Sequence, residues 1–301
     1  MSRHLIAAAV QMDTALTPTH ERLSRADALV AEAANAGAQL VALPELFNTG
    51  YTYSDTNYAR AETMDGETVS WMKQAAAQYG VHVAGTLLLI DGDHVYNSAL
   101  LFAPDGRMWR YDKNYPWGWE RAYYREGHDI TVADTDLGKF GMIICWDYAH
   151  PELWQRYAGK IDAILMLSCP PKVAEMVLTL PDGTKAAISD QNQFYEGNDQ
   201  PFGADLNAQT AWLGVPLVNS TGTGQLRTHL PNPYLSILGG LAQRPDLWAL
   251  VAAAPPLEVE SGFYPQAKIV NARGETLCRV TADGDGFVVG EIELADQPPL
   301  P

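Results

Sequence analysis

Apolar positions in the first half of the chain follow two different periods, which predict strands and helices in turn. An apolar run at Leu5–Met12 predicts a first strand, and apolar residues spaced three and four apart predict a helix between Pro18 and Gly37. Leu40–Pro44 then predicts a short buried strand, and Glu67–Tyr79 predicts a second helix. Two successive strand–helix units indicate a wound α/β arrangement.

The pattern changes beyond residue 80 to a series of short strands. Asp-Gly turns separate apolar segments at Val81–Ile90, Asn97–Ala103 and Met108–Asp112, which predicts antiparallel hairpins. Residues 114–128 are predicted to form an aromatic-rich loop. The next predicted elements are two strands, a helix and a further strand, at Ile130–Ala133, Phe140–Cys145, Pro151–Ala158 and Ala163–Leu167.

The second half is less regular and contains two long excursions, at about 170–205 and 222–265. Between them the pattern predicts a helix at Leu206–Leu213 and a strand at Val215–Asn219. The second excursion contains a predicted apolar helix at about 245–254. Three closing strands with turns at Arg273-Gly274 and Asp283-Gly284 are predicted at Ala267–Val270, Thr276–Val280 and Phe287–Ile292. No linker-like break in composition occurs, so we predict one domain over residues 1–301, an α/β sandwich with helices outside.

Composition narrows the classes of function. Apolar residues make up 47% of the 301 residues and charged residues 19%, which is enough for a large core. A net charge of −16 argues against a nucleic acid or an anionic membrane surface as partner. Three cysteines form no disulfide framework and favour a reducing cytoplasm. No apolar run approaches the ~20 residues of a membrane span.

Three polar residues follow apolar strands, where ligands and catalytic groups collect in α/β sheets. They are Glu45, Lys113 and Cys145. A thiol has a pKa of ~8.5 and needs a base to become a good nucleophile; a carboxylate can take its proton, and an ammonium can stabilise an oxyanion. Taken singly, however, a cysteine that ends an apolar strand is more often a buried hydrophobic residue.

The sequences around these residues resemble the nitrilase superfamily of carbon–nitrogen hydrolases over roughly residues 5–168. Four segments in the expected order carry the resemblance: Leu43–Phe47 with Gly50-Tyr51, Tyr111–Lys113, Glu120 with Tyr124 and Gly127, and Gly141–Asp147 with Pro151-Glu152. The resemblance implies a four-layer αββα sandwich, no cofactor and no metal. It also implies homo-oligomers in which two sandwiches pair into an eight-layer dimer.

The resemblance also implies a role for each matched residue. Cys145 corresponds to the nucleophile and Glu45 to the general base. Lys113 corresponds to the lysine that stabilises the oxyanion, together with the backbone N–H of Trp146. Glu120 corresponds to a second glutamate that orients the lysine and the substrate.

Aromatic residues surround these motifs, and we expect Tyr51, Trp117 and Trp146 to contact the substrate. The expected reaction is hydrolysis of a small-molecule amide to a carboxylic acid and ammonia through a cysteine thioester. Asp147 favours amide over nitrile chemistry, since glutamate is typical at that position of nitrilases. An N-carbamoyl amine hydrolase, a nitrilase and a non-catalytic oligomeric binding protein remain alternatives.

The second half departs from the family pattern and leaves the substrate class open. The departures are at Leu206–Thr210 and Tyr264–Gln266. Apolar residues of the second excursion, Trp248 among them, carry too much apolar surface to lie free in water. We expect this segment to dock at a subunit interface and over the mouth of the active site.

Overall fold

Twelve strands form one continuous sheet in the computed structural model, which describes residues 3–179, 183–187, 201–230, 245, 257–264 and 266–299. The sheet divides into two halves. The first half has the spatial order β5-β4-β3-β2-β1-β16 and consists of β1 (Arg3–Asp13), β2 (Leu40–Ala42), β3 (His82–Asp91), β4 (His94–Phe102), β5 (Met108–Asp112) and β16 (Gly286–Leu294).

The second half has the order β6-β7-β8-β11-β14-β15. It consists of β6 (Val132–Asp134), β7 (Lys139–Ile144), β8 (Ala163–Ser168), β11 (Leu217–Thr223), β14 (Lys268–Val270) and β15 (Thr276–Arg279). Strands β1 and β11 join the halves through a short parallel pairing of Gln11–Asp13 with Thr221–Thr223.

Helices cover the outer face of each half, which completes four layers. The helices are α1 (Thr19–Asn35), α2 (Thr56–Arg60), α3 (Glu67–Tyr79), α4 (Pro151–Tyr157) and α5 (Leu206–Leu213). Residues of α1 and α3 share a buried cluster with the first half, and residues of α4 and α5 share one with the second half. The predicted αββα sandwich is therefore confirmed.

Strand β1 shows why the sequence folds into layers. Leu5, Ala7 and Ala9 belong to the cluster that includes the second half of the sheet, whereas Ala8, Val10 and Met12 belong to the cluster with α1 and α3. Successive side chains of a strand point to opposite faces, so an uninterrupted apolar run is what a strand buried on both faces requires.

The two excursions contain a second sheet that the sequence did not predict. Its order is β10-β9-β13-β12, with β9 (Val177–Thr179), β10 (Lys185–Ala187), β12 (Gln225–Leu230) and β13 (Leu257–Gly262). Leu178, Leu226 and Val259 of this sheet pack in one buried cluster with Tyr51 and Trp119. The second sheet therefore lies beside the predicted catalytic residues.

Several predicted elements need correction. The turn at Asp283-Gly284 does not close a hairpin, because β16 pairs antiparallel with β1, with Leu5 opposite Ile292. The strand predicted at Val215–Asn219 begins and ends later, as β11, and helix α2 was not predicted. The apolar helix predicted at 245–254 lies outside the described residues apart from Pro245. No helix in the described ranges is both long and apolar enough to cross a bilayer.

Candidate active site

The strands that precede the predicted catalytic residues end at the same edge of the sandwich. Strands β2 and β7 are connected through a series of parallel pairings, and β5 runs parallel to β3 through two antiparallel steps. Glu45 lies just beyond β2, whereas Lys113 and Cys145 directly follow β5 and β7. All three side chains are buried. The strand-end pattern of the sequence thus brings them together.

Lys113 lies between two carboxylates. Its Nζ atom is 2.8 Å from Oε1 of Glu45 and 2.6 Å from Oε2 of Glu120. All three side chains are withdrawn from solvent. A buried charge is stable only when it is paired, so one ammonium between two carboxylates fixes the positions of all three groups.

A hydrogen bond from a neighbouring strand orients Glu45. Asn97 of β4 donates from Nδ2 to Oε1 of Glu45 at 2.8 Å, and its backbone carbonyl accepts the N–H of Lys113 at 2.9 Å. The loop after Glu45 is held by the Leu46 N–H, which donates to Oγ1 of Thr86 at 2.8 Å. Asn97 was not predicted from the sequence. The only signal was a polar amide inside an apolar strand.

A second set of contacts holds Glu120 in the turn Gly118–Ala122. Its Oε2 atom accepts the Trp117 N–H at 2.7 Å, and its Oε1 atom accepts the hydroxyl of Tyr51 at 2.5 Å. Tyr51, predicted to contact substrate, is buried and acts here on Glu120. Its hydroxyl also lies 3.2 Å from that of Tyr53.

Cys145 opens a 3-10 turn, Cys145–Ala149, at the end of β7. Its φ angle is +46°, in the left-handed region that L-residues rarely adopt. The first amides of a helical turn have no partner within the turn, and the Trp146 N–H occupies such a position. The half-buried rings of Trp146 and Trp117 lie 6.4 Å apart. Trp146 lies within the cysteine turn and Trp117 packs near it, so these two predicted substrate contacts are neighbours beside Cys145.

Burial and charge set the protonation of the site. Burial raises the pKa of Glu45 to about 7; the Lys113 ammonium opposes this shift and Glu120 adds to it. Burial and the Glu45 charge hold the pKa of the Cys145 thiol well above its usual value, although Lys113 lowers it. Burial disfavours the charged form of Lys113, but Glu120 and Glu45 outweigh it and raise its pKa.

This arrangement is suited to nucleophilic catalysis by a thiol. Oε2 of Glu45 has no close hydrogen-bond partner in the described part of the chain, and the Cys145 thiol is near enough to influence the pKa of this carboxyl group. A base with a pKa near neutrality can both take and return a proton. Among the described residues, no group of three or more His, Cys, Asp or Glu side chains is placed to hold a metal ion.

Comparison with known proteins agrees with the fold and the site. The profile described as carbon-nitrogen hydrolase matches residues 6–181. A nitrilase of Pyrococcus abyssi is 35% identical over 156 residues, which cover 50% of this chain and 59% of the nitrilase. Omega-amidase NIT2-A of Xenopus laevis is 35% identical over 222 residues, which cover 67% of this chain and 76% of that protein.

A solved structure extends the agreement in fold. Nit3 of Saccharomyces cerevisiae, a member of branch 10 of the nitrilase superfamily, superposes with a TM-score of 0.70 at 19% identity, covering 96% of this chain and 90% of that one. The fold and the buried cysteine site define a thiol-type hydrolase. The chain belongs to the carbon–nitrogen hydrolase family.

Proposed function

We propose that the protein is an amidase that hydrolyses a small-molecule amide to a carboxylic acid and ammonia, with Cys145 as nucleophile, Glu45 as general base and Lys113 and Glu120 completing the catalytic set. The observation that carries this proposal is the buried ammonium of Lys113, held between the carboxylates of Glu45 and Glu120 beside Cys145. No cofactor enters the proposed reaction.

The geometry suggests the order of proton transfers. Glu45 takes the thiol proton as the sulfur of Cys145 attacks the amide carbon, and Lys113 and the Trp146 N–H stabilise the oxyanion. Collapse of this intermediate breaks the carbon–nitrogen bond, and the proton on Glu45 leaves with ammonia. Water then gives a proton to Glu45 and attacks the thioester. The acid departs, and the proton returns to the thiol.

Amide chemistry is supported by Asp147, which follows the nucleophile by two positions, and by the similarity to proteins named omega-amidases. The relative named nitrilase keeps nitrile hydrolysis as an alternative, and hydrolysis of N-carbamoyl amines is the other. The rates of ammonia release from matched amides and nitriles distinguish an amidase from a nitrilase. We expect the amide of each pair to react faster, and a consistent preference for nitriles would overturn this choice.

The decisive experiment is substitution of the catalytic set. Cys145→Ala, Glu45→Gln and Lys113→Ala should each abolish turnover, since groups that act as one unit lose rate together. Cys278→Ser, at a half-buried thiol far along the chain, is the matched control and should keep wild-type activity. Mass spectrometry should detect a substrate-derived thioester on Cys145. Activity in Cys145→Ala would refute the mechanism, and binding without a thioester would favour a binding protein.

We also propose a cytoplasmic homo-oligomer in which the segment 222–265 contributes to a subunit interface and to a cap over the site. Trp248→Ala should then lower activity or weaken assembly in sedimentation. Unchanged kinetics and unchanged sedimentation would contradict this role.

A further inference from the structure

The buried carboxylate of Asp147 joins the residues around Cys145 to the residues around Lys113. Asp147 is fully buried in the cysteine turn. Its Oδ2 atom accepts the Ile144 N–H at 2.9 Å and the Tyr111 hydroxyl at 2.7 Å, and its Oδ1 atom accepts the Tyr115 N–H at 2.8 Å. Ile144 and Asp147 flank Cys145, whereas Tyr111 and Tyr115 flank Lys113.

We propose that Asp147 is a positioning residue that holds the nucleophile and the oxyanion-stabilising lysine at a fixed separation. This inference rests on the proposed function for the roles of Cys145 and Lys113. It extends that function to a residue that touches neither the substrate nor the thiol.

The backbone of Cys145 explains why such a connection is needed. The left-handed φ of +46° is unfavourable for a residue with a side chain, and it persists only where the surroundings enforce it. The Asp147 carboxylate accepts the Ile144 N–H, and this hydrogen bond closes the turn around Cys145. The same carboxylate then fixes this turn against the end of β5.

A hydrogen bond from Asn114 orients the hydroxyl proton of Tyr111 towards Asp147. The Tyr111 hydroxyl lies 3.0 Å from Nδ2 of Asn114, which donates to it, so its own proton is directed to Asp147. Burial raises the pKa of Asp147 above its usual value, although the Lys113 ammonium and these donors oppose the shift. Three donors around one carboxyl group match an ionised side chain that only accepts.

Asp147→Asn provides a sharp test because both carboxylate oxygens accept a backbone N–H. Either orientation of the new amide places its NH₂ group against one of these backbone donors. A displacement of about 1 Å in an active site can lower the rate about 100-fold. We therefore expect kcat to fall about 100-fold, with a smaller change in KM, and the rate and pH profile of Cys145 alkylation by iodoacetamide to change.

Asp162→Asn is the matched control. Asp162 is also a buried aspartate, and its Oδ2 atom accepts the Lys139 N–H at 2.9 Å, at the opposite end of β7. This variant can lose stability, but it should keep wild-type kcat and the wild-type alkylation profile. Tyr111→Phe removes one of the three hydrogen bonds and keeps the carboxylate, so it should lower kcat less, by about tenfold.

Wild-type kcat and alkylation in a folded Asp147→Asn would overturn the inference. If that variant does not fold, Tyr111→Phe decides, and a wild-type kcat and alkylation profile there would overturn it equally. Alkylation needs no substrate, so the two proposals can fail separately. Absence of amide turnover in the wild-type protein contradicts the proposed function, while a changed alkylation profile in the variants still supports the positioning role.

Discussion

Removing the side chain of Asn97 should shift the pH dependence of the reaction. Asn97 donates to Oε1 of Glu45 at 2.8 Å, and this bond stabilises the charged form of the base. A hydrogen bond to a charged group contributes about 1.5–3 kcal/mol. Since one pKa unit corresponds to ~1.36 kcal/mol, Asn97→Ala should raise the pKa of Glu45 by about one to two units.

The direction of the pH shift follows from the proposed role of Glu45 as the general base. The carboxylate must be ionised to take the thiol proton, so kcat/KM should rise with pH through the Glu45 pKa of about 7. In Asn97→Ala the acid limb of the kcat/KM profile should move to higher pH by one pH unit or more. At pH 7 the ionised fraction would then fall about fivefold for a shift of one unit, and most of the activity should return near pH 9.

The assay is ammonia release from a neutral amide between pH 5 and 9.5. Asn48→Ala is the matched control, because Asn48 is also buried and donates to a glutamate outside the proposed catalytic set, Oε1 of Glu62 at 3.2 Å. Its acid limb should stay in place. An unmoved limb in Asn97→Ala, or a wild-type profile that is flat down to pH 5, would refute the assignment of Glu45 as the base.

Two further substitutions test the surroundings of the site. Glu120→Gln removes one of the two charges that hold the Lys113 ammonium. We expect kcat to fall about 100-fold in the ammonia assay, because Lys113 would no longer be held where it is proposed to stabilise the oxyanion. A wild-type kcat would contradict the proposed role of Glu120 in orienting Lys113. Gly222→Ala places a Cβ atom in a clash with Sγ of Cys169, so it should lower the free energy of unfolding in urea. Gly203→Ala should not, because its Cβ atom meets no described atom within 4 Å. Equal stability of the two glycine variants would contradict the close approach.

The elements that the sequence predicts well are those with local periodicity. Helices α3 and α5 have the predicted bounds, because each carries a helical apolar pattern and ends at a glycine with positive φ, Gly80 or Gly214. The second sheet escaped prediction because its pairings are distant in sequence. Leu178 lies opposite Val259, and strand β9 is only three residues long. So short a segment shows no period of its own.

The same distinction applies to the site. Residue types at strand ends are visible in the sequence, so Glu45, Lys113 and Cys145 could be predicted to converge. Their hydrogen-bond partners could not, because Asn97 and Tyr51 lie on other elements and their roles depend on side-chain geometry. The short bond from Tyr51 to Glu120 shows that an aromatic residue beside a motif can hydrogen-bond to a carboxylate of the proposed catalytic set.

The balance of buried charge has a consequence for how the thiol reacts. Glu45 and Glu120 share the Lys113 ammonium, so a thiolate at Cys145 would add a third negative charge beside the one cation that the described residues place there. Burial and Glu45 accordingly raise the pKa of the thiol, and burial brings the pKa of Glu45 to about 7. Before substrate attack, Cys145 is therefore a neutral thiol, and Glu45 is a carboxyl group whose pKa lets it accept the thiol proton near neutral pH. In the proposed mechanism the nucleophile forms only as the proton moves to Glu45 during attack, when the developing oxyanion meets the ammonium of Lys113.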